Sequence, residues 1–78
     1  MTMEQKRAAI MQQAETLFSA AKSFGHEWAV LGTLKIEITR IMKWYNTPEL
    51  TLKTVENMAA KGIIEISKTG KGFKLLSK

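Results

Sequence analysis

The chain of 78 residues is the length of one small domain, too short for a multidomain enzyme and able to bury only about 60% of its unfolded surface. Apolar residues make up 45% and charged ones 24%, a globular balance, and the absence of cysteine removes disulfides and thiolate metal sites. Twelve basic residues stand against seven glutamates and no aspartate, for a net charge of +5.

That charge is uneven. Residues 61–78 hold Lys61, Lys68, Lys71, Lys74 and Lys78 against Glu65 alone, a net of +4, which leaves +1 for residues 1–60. A local lysine cluster attracts polyanions, because each cation set near a phosphate releases counterions. It also serves as an ordinary solubilising end, and charge alone does not separate the two. No apolar run approaches the roughly 20 residues of a membrane span. Residues 1–6 are not followed by the apolar stretch of a secretory signal. A soluble, cytoplasmic domain with no membrane partner is therefore expected.

In chain order, the spacing predicts a long helix over about residues 4–24. Ile10, Ala14, Leu17, Ala21 and Phe24 recur every three or four residues, Met11 and Phe18 widen the stripe, and Gly25 stops it. Two uses of the stripe are open. It can cover the core of its own domain, which a chain this small needs, or it can form a seam for a homodimer. Residues 25–32 bracket the short apolar run Trp28-Ala29-Val30-Leu31 between two glycines, with Trp28 expected to cap the core and His26 to be a bystander.

Leu34, Ile36 and Ile38 alternate with charged residues as a strand would, whereas Ile38, Ile41, Met42 and Tyr45 keep helical spacing. The expectation is a short strand near residues 34–36 running into a helix of about residues 38–45, with a single helix over the whole segment as the alternative. Tyr45 is placed in the core. Trp44, off that face, is either packed at the edge against the first helix or exposed as a protein-contact anchor.

Thr47-Pro48-Glu49 is helix-start chemistry: an N-cap, a proline at the first helical position and an acid at the positive end of the helix. A helix over residues 48–61 follows, closed by Gly62, with Leu52, Val55, Met58 and Ala59 on its inner side and Lys53, Thr54, Asn57 and Lys61 on its outer side. Ile63, Ile64 and Ile66, then Phe73, Leu75 and Leu76, read as a hairpin around the glycine-containing loop Lys68-Thr69-Gly70-Lys71-Gly72. A lone hairpin is marginal in water, so a third strand or the helices must support it.

The run ITRIMKWYNTPELTLKTVENMAAKGIIEISKTGKGFKLL resembles the helix-turn-helix and wing of small bacterial, phage and plasmid winged-helix regulators. The resemblance covers about residues 34–76 and includes the step Lys61-Gly62-Ile63-Ile64 from recognition helix into wing. It implies an α+β fold, a three-helix winged helix-turn-helix with a two- to three-stranded C-terminal wing. Its parts are the long helix at about 4–24, the helix-turn-helix at about 38–61 and the wing at about 63–76.

The function that follows is duplex DNA binding in transcription regulation. A helix fits the major groove and a basic loop can track phosphates. Asn57 is the candidate for adenine, Lys53 and Lys61 for phosphate or guanine, and Thr54 for a thymine methyl or a phosphate. Lys68, Lys71 and Lys74 are the candidate phosphate contacts of the wing. Against this stand Glu49 and Glu56 on the same helix, and a total of only two arginines, Arg7 and Arg40.

The competing class is a non-catalytic protein-interaction module or inhibitor on the same scaffold, with a protein partner in place of DNA. Catalysis, a metal and a cofactor are not expected. One histidine and no cysteine or aspartate give no nucleophile–base–orienter set. Thr69-Gly70-Lys71-Gly72 lacks the phosphate-loop spacing.

Overall fold

A computed structural model describes residues 1–76. The order is helix α1 (Met3–Ser23), strand β1 (Ala29–Val30), helix α2 (Leu31–Met42), helix α3 (Pro48–Ala60), strand β2 (Ile64–Ile66) and strand β3 (Gly72–Leu75). The strands form one antiparallel sheet in the order β1-β3-β2, with Ala29 opposite Phe73 and Ile64 opposite Leu75. Three helices and a small C-terminal antiparallel sheet match the coarse winged-helix architecture. None of the helices is long and apolar enough to cross a membrane among the described residues.

Each helix end has a local cause. At the start of α1 the Thr2 side chain accepts from the Gln5 N–H at 3.1 Å, and Gln5 Oε1 accepts from the Thr2 N–H at 2.8 Å, a reciprocal capping box. At its end Gly25 takes φ +82°, so that its N–H reaches the Lys22 carbonyl and the His26 N–H reaches that of Ala21. The same device ends α3. Gly62, at φ +75°, donates to Ala59, and Ile63 donates to Met58. Both are Schellman closures, and the second explains the Lys61-Gly62-Ile63-Ile64 step: only a left-handed residue there satisfies the last carbonyls and redirects the chain into β2.

Leu31, Leu34 and Ile38 are the buried stripe of α2, so residues 34–36 are helical and not the third strand. Leu34 and Ile38 lie one helical turn apart, whereas Ile36 points away and is 66% exposed. The third strand is Ala29–Val30, within the stretch bracketed by glycines. The Leu31 N–H donates to the Lys71 carbonyl at 2.9 Å, which ties the start of α2 to the base of the wing.

Nor does α2 reach Tyr45. It ends at Met42 because Lys43 turns left-handed at φ +62°, and Tyr45 lies in the following turn, 66% exposed rather than in the core. Thr47 stands at the N-cap of α3 without capping through its side chain, whose hydroxyl instead approaches the Trp44 carbonyl at 3.4 Å. On α3 it is Thr51, not Leu52, that turns inward. The Thr39 hydroxyl donates to the Lys35 carbonyl at 2.9 Å, so in the 2.7 Å contact between the two threonines Thr51 is the donor.

The core gathers Ile10 and Ala14 of α1, Leu34 and Ile38 of α2, Val55 and Met58 of α3, and Ile64 and Phe73 of the sheet. The α1 stripe thus packs on its own domain. Leu17, Phe18 and Ala21 continue it, and the Phe18 ring lies 6.5 Å from that of Phe73. Phe24, at the helix end, is exposed instead.

Candidate nucleic-acid interface

Successive residues of α3 are rotated by 100°, so burying Thr51, Val55 and Met58 turns Lys53 and Asn57 outward. Both are exposed, as are Glu49 and Glu56. The described residues contain two ion pairs, Glu37–Arg40 and Glu27–Lys74, so neither glutamate of α3 neutralises Lys53.

Thr54 and Lys61 project from the flank of α3. With Asn57 they border a cleft of about 220 Å³ between α3 and the first half of α1. The Thr54 hydroxyl donates to the Leu50 carbonyl at 2.9 Å. Its proton is committed within the helix, so the hydroxyl can accept from a partner but not donate to a phosphate, and the methyl is free for apolar contact.

The wing loop is built for a tight reversal. The Ser67 N–H donates to the Gly72 carbonyl and the Gly70 N–H to the Ser67 carbonyl, each at 2.9 Å, while Gly70 takes φ +74°. The Ser67 hydroxyl accepts from the Gly72 N–H at 3.0 Å. Lys68 and Lys71 are exposed in this loop, outside both ion pairs. Gly72 has a separate role: a Cβ there would stand 2.9 Å from Trp28 Cβ and 3.2 Å from the Ala29 carbonyl oxygen, so the close approach of β1 requires glycine.

Lys74 is placed differently from the other wing lysines. It faces the outer side of the sheet opposite Glu65, with Nζ 2.9 Å from Glu27 Oε2 and 4.6 Å from the centre of the Trp28 ring. Its side chain is 29% exposed, and its charge already has a carboxylate and an aromatic face as partners. The seven sequence-predicted residues therefore occupy three places: the outer face and flank of α3, the wing loop, and the outer side of the sheet.

No protein-family model matches the chain, and comparison with curated proteins and with solved structures found no match.

Two features of this region escape sequence reasoning. The flank of α3 is shared with α1, which places Arg7 and Lys61 in the lining of one cleft. The only signal was that the α1 stripe of Ile10 and Ala14 extends back to Met3 at the same spacing. The second is an apolar surface between α2 and α3, where Ile36 and Tyr45 are each 66% exposed and Leu52 is 46% exposed. Trp44 is half-buried at the edge of the core and lines the cleft against α1. Among the described residues no three His, Cys, Asp or Glu side chains come together as a metal site requires.

Proposed function

We propose that this chain is a small, non-catalytic DNA-binding protein of the regulatory kind, with α3 in the major groove and the wing loop on the adjoining backbone. The observation that carries the reading is the outward face of α3. Lys53 and Asn57 project there without a carboxylate partner, on a helix whose opposite side is buried. An exposed asparagine amide matches the N6 and N7 edge of adenine. Lys53 and Lys61 supply phosphate or guanine contacts, and Lys68 and Lys71 position the wing on phosphates. Thr54 contributes its methyl group to a thymine. Lys74 contributes little, being held by Glu27 and Trp28.

Fluorescence anisotropy with a labelled random-sequence duplex tests this. Four phosphate-facing cations give a slope of log K against log salt of about −3.6. Binding is weakened by Lys53→Ala, Asn57→Ala and Lys71→Ala. Absence of binding at low salt, or binding unchanged in all three variants, removes the reading.

One observation favours the second reading, a protein-interaction module. The Ile36, Tyr45 and Leu52 surface is apolar, exposed and contiguous with Pro48, and such patches mark contact sites. Under that reading duplex DNA is not bound at low salt, and Tyr45→Ala abolishes capture of a partner protein.

A further inference from the structure

The cleft between α1 and α3 joins methionines in and beside the core to two cations in one concave surface. Four methionines line it, Met3 and Met11 from α1, Met42 from α2 and Met58 from α3, together with Trp44. Two cations, Arg7 and Lys61, border the same space. No glutamate lines it, and neither cation belongs to an ion pair among the described residues. An apolar cleft with uncompensated positive charge at its border is complementary to an amphipathic anion.

We infer that this cleft binds a small amphipathic monocarboxylate, its apolar body against the methionines and its carboxylate facing Arg7 and Lys61. Unbranched thioethers adapt to an alkyl chain or a single ring without a fixed shape. The guanidinium fork of Arg7 matches a carboxylate in a bidentate way, which a lone lysine does not. A volume of about 220 Å³ lies below the ~300–1,000 Å³ of sites for drug-sized ligands, which limits the occupant to fragment size. Each methylene buried strengthens binding about three- to fourfold, so affinity rises with chain length until the cleft is full.

Occupancy of the cleft is independent of the DNA reading, whereas its consequence rests on it. Thr54, Asn57 and Lys61 line the cleft and are also three of the groups proposed to meet DNA. A bound carboxylate would place negative charge beside them and compete with the duplex.

The test is an amide-resolved NMR titration of the whole chain, without DNA, using octanoate, octan-1-ol and octylammonium as probes. Saturable shifts confined to residues 3–11, 42–44 and 54–63 are expected. Octanoate should bind about tenfold tighter than octanol, on the scale of two exposed ion pairs, and octylammonium weakest. Arg7→Gln combined with Lys61→Gln should bring octanoate down to the level of octanol. Both side chains are exposed, so the variant keeps its fold. Equal binding of the three probes, scattered shifts or no saturable change would each overturn the assignment. Adding duplex afterwards separates the two ideas: failure of the duplex to displace octanoate overturns the competition and leaves occupancy of the cleft standing, while failure of the octanoate-free chain to bind duplex counts against the DNA reading alone.

Discussion

Replacing Gly72 by alanine and Gly32 by alanine makes the same chemical change at two places in one protein, and the structure assigns them opposite signs. At Gly72 the new methyl would stand 2.9 Å from Trp28 Cβ and 3.2 Å from the Ala29 carbonyl oxygen. Neither atom is the far end of a flexible side chain. Relief requires β1 to move away from β3, where Val30 pairs with Gly72, and it strains the bond from the Leu31 N–H to the Lys71 carbonyl. Overpacking of this kind costs about 1–3 kcal/mol. For a domain of this size 1 kcal/mol moves Tm by about 4–8 °C, so a middle value of about 2 kcal/mol lowers Tm by about 8–16 °C. At Gly32, in α2, the nearest atom is Val30 Cγ1 at 3.9 Å, an ordinary contact. There alanine restricts the unfolded chain and stabilises by about 0.4–1 kcal/mol, raising Tm by about 2–8 °C. Thermal melts followed by far-ultraviolet circular dichroism measure both. A Gly72→Ala protein melting at or above the parent would refute the tight β1–β3 approach, and with it the account of why the third strand lies at residues 29–30.

Three further outcomes follow from local geometry. Gly62→Ala forces a side chain into the left-handed region at φ +75° with open space around it, so the cost is conformational, about 1–2 kcal/mol, and urea unfolding should read it. Thr39→Val leaves the buried Thr51 hydroxyl without its acceptor at a cost of about 1–3 kcal/mol. Adding Thr51→Val recovers part of that loss, whereas additive losses in the double-mutant cycle would contradict the hydrogen bond between the two hydroxyls. In DNA titrations Lys71→Ala should flatten the salt slope by about one unit, while Lys74→Ala, removing a side chain already held by Glu27, should leave it nearly unchanged. Equal effects of the two would show that Lys74 is as available as the loop lysines.

The helix closures at Gly25 and Gly62 and the start at Pro48 were legible because glycine alone enters the left-handed region without cost and proline has its φ already fixed for a first helical turn. The wing was legible for the same reason, with Gly70 at the reversal and isoleucine-rich and Phe-Lys-Leu arms on either side. The boundary between β1 and α2 was not. Leu34, Ile36 and Ile38 satisfy strand alternation, yet Leu34 and Ile38 equally satisfy a helical turn, and three residues cannot separate the two periods. A two-residue strand has no period at all. Its position is fixed by a glycine more than forty residues away, Gly72. The end of α2 was hidden because the left-handed position is filled by Lys43, which carries no turn signal, so the apolar spacing ran on to Tyr45.

For the candidate interface, helical rotation alone was enough to turn Lys53 and Asn57 outward. What it could not supply was the neighbourhood. That Lys74 would meet Glu27 and Trp28 depends on the pairing of β1 with β3. That Thr54, Asn57 and Lys61 would share a cleft with Met3 and Arg7 depends on how the first half of α1 lies against α3. Both are long-range consequences of packing, invisible to any window on the chain.

Duplex binding through α3 and the wing is read residue by residue in an amide-resolved NMR titration of the chain with a short DNA duplex at low salt. Shifts are expected to concentrate on residues 48–61, which are α3 and its C-cap Lys61, and on residues 67–72 of the wing, while the outer side of the sheet around Lys74 stays silent. Shifts confined to the surface around Ile36, Tyr45 and Leu52, or no shifts at all, would contradict it.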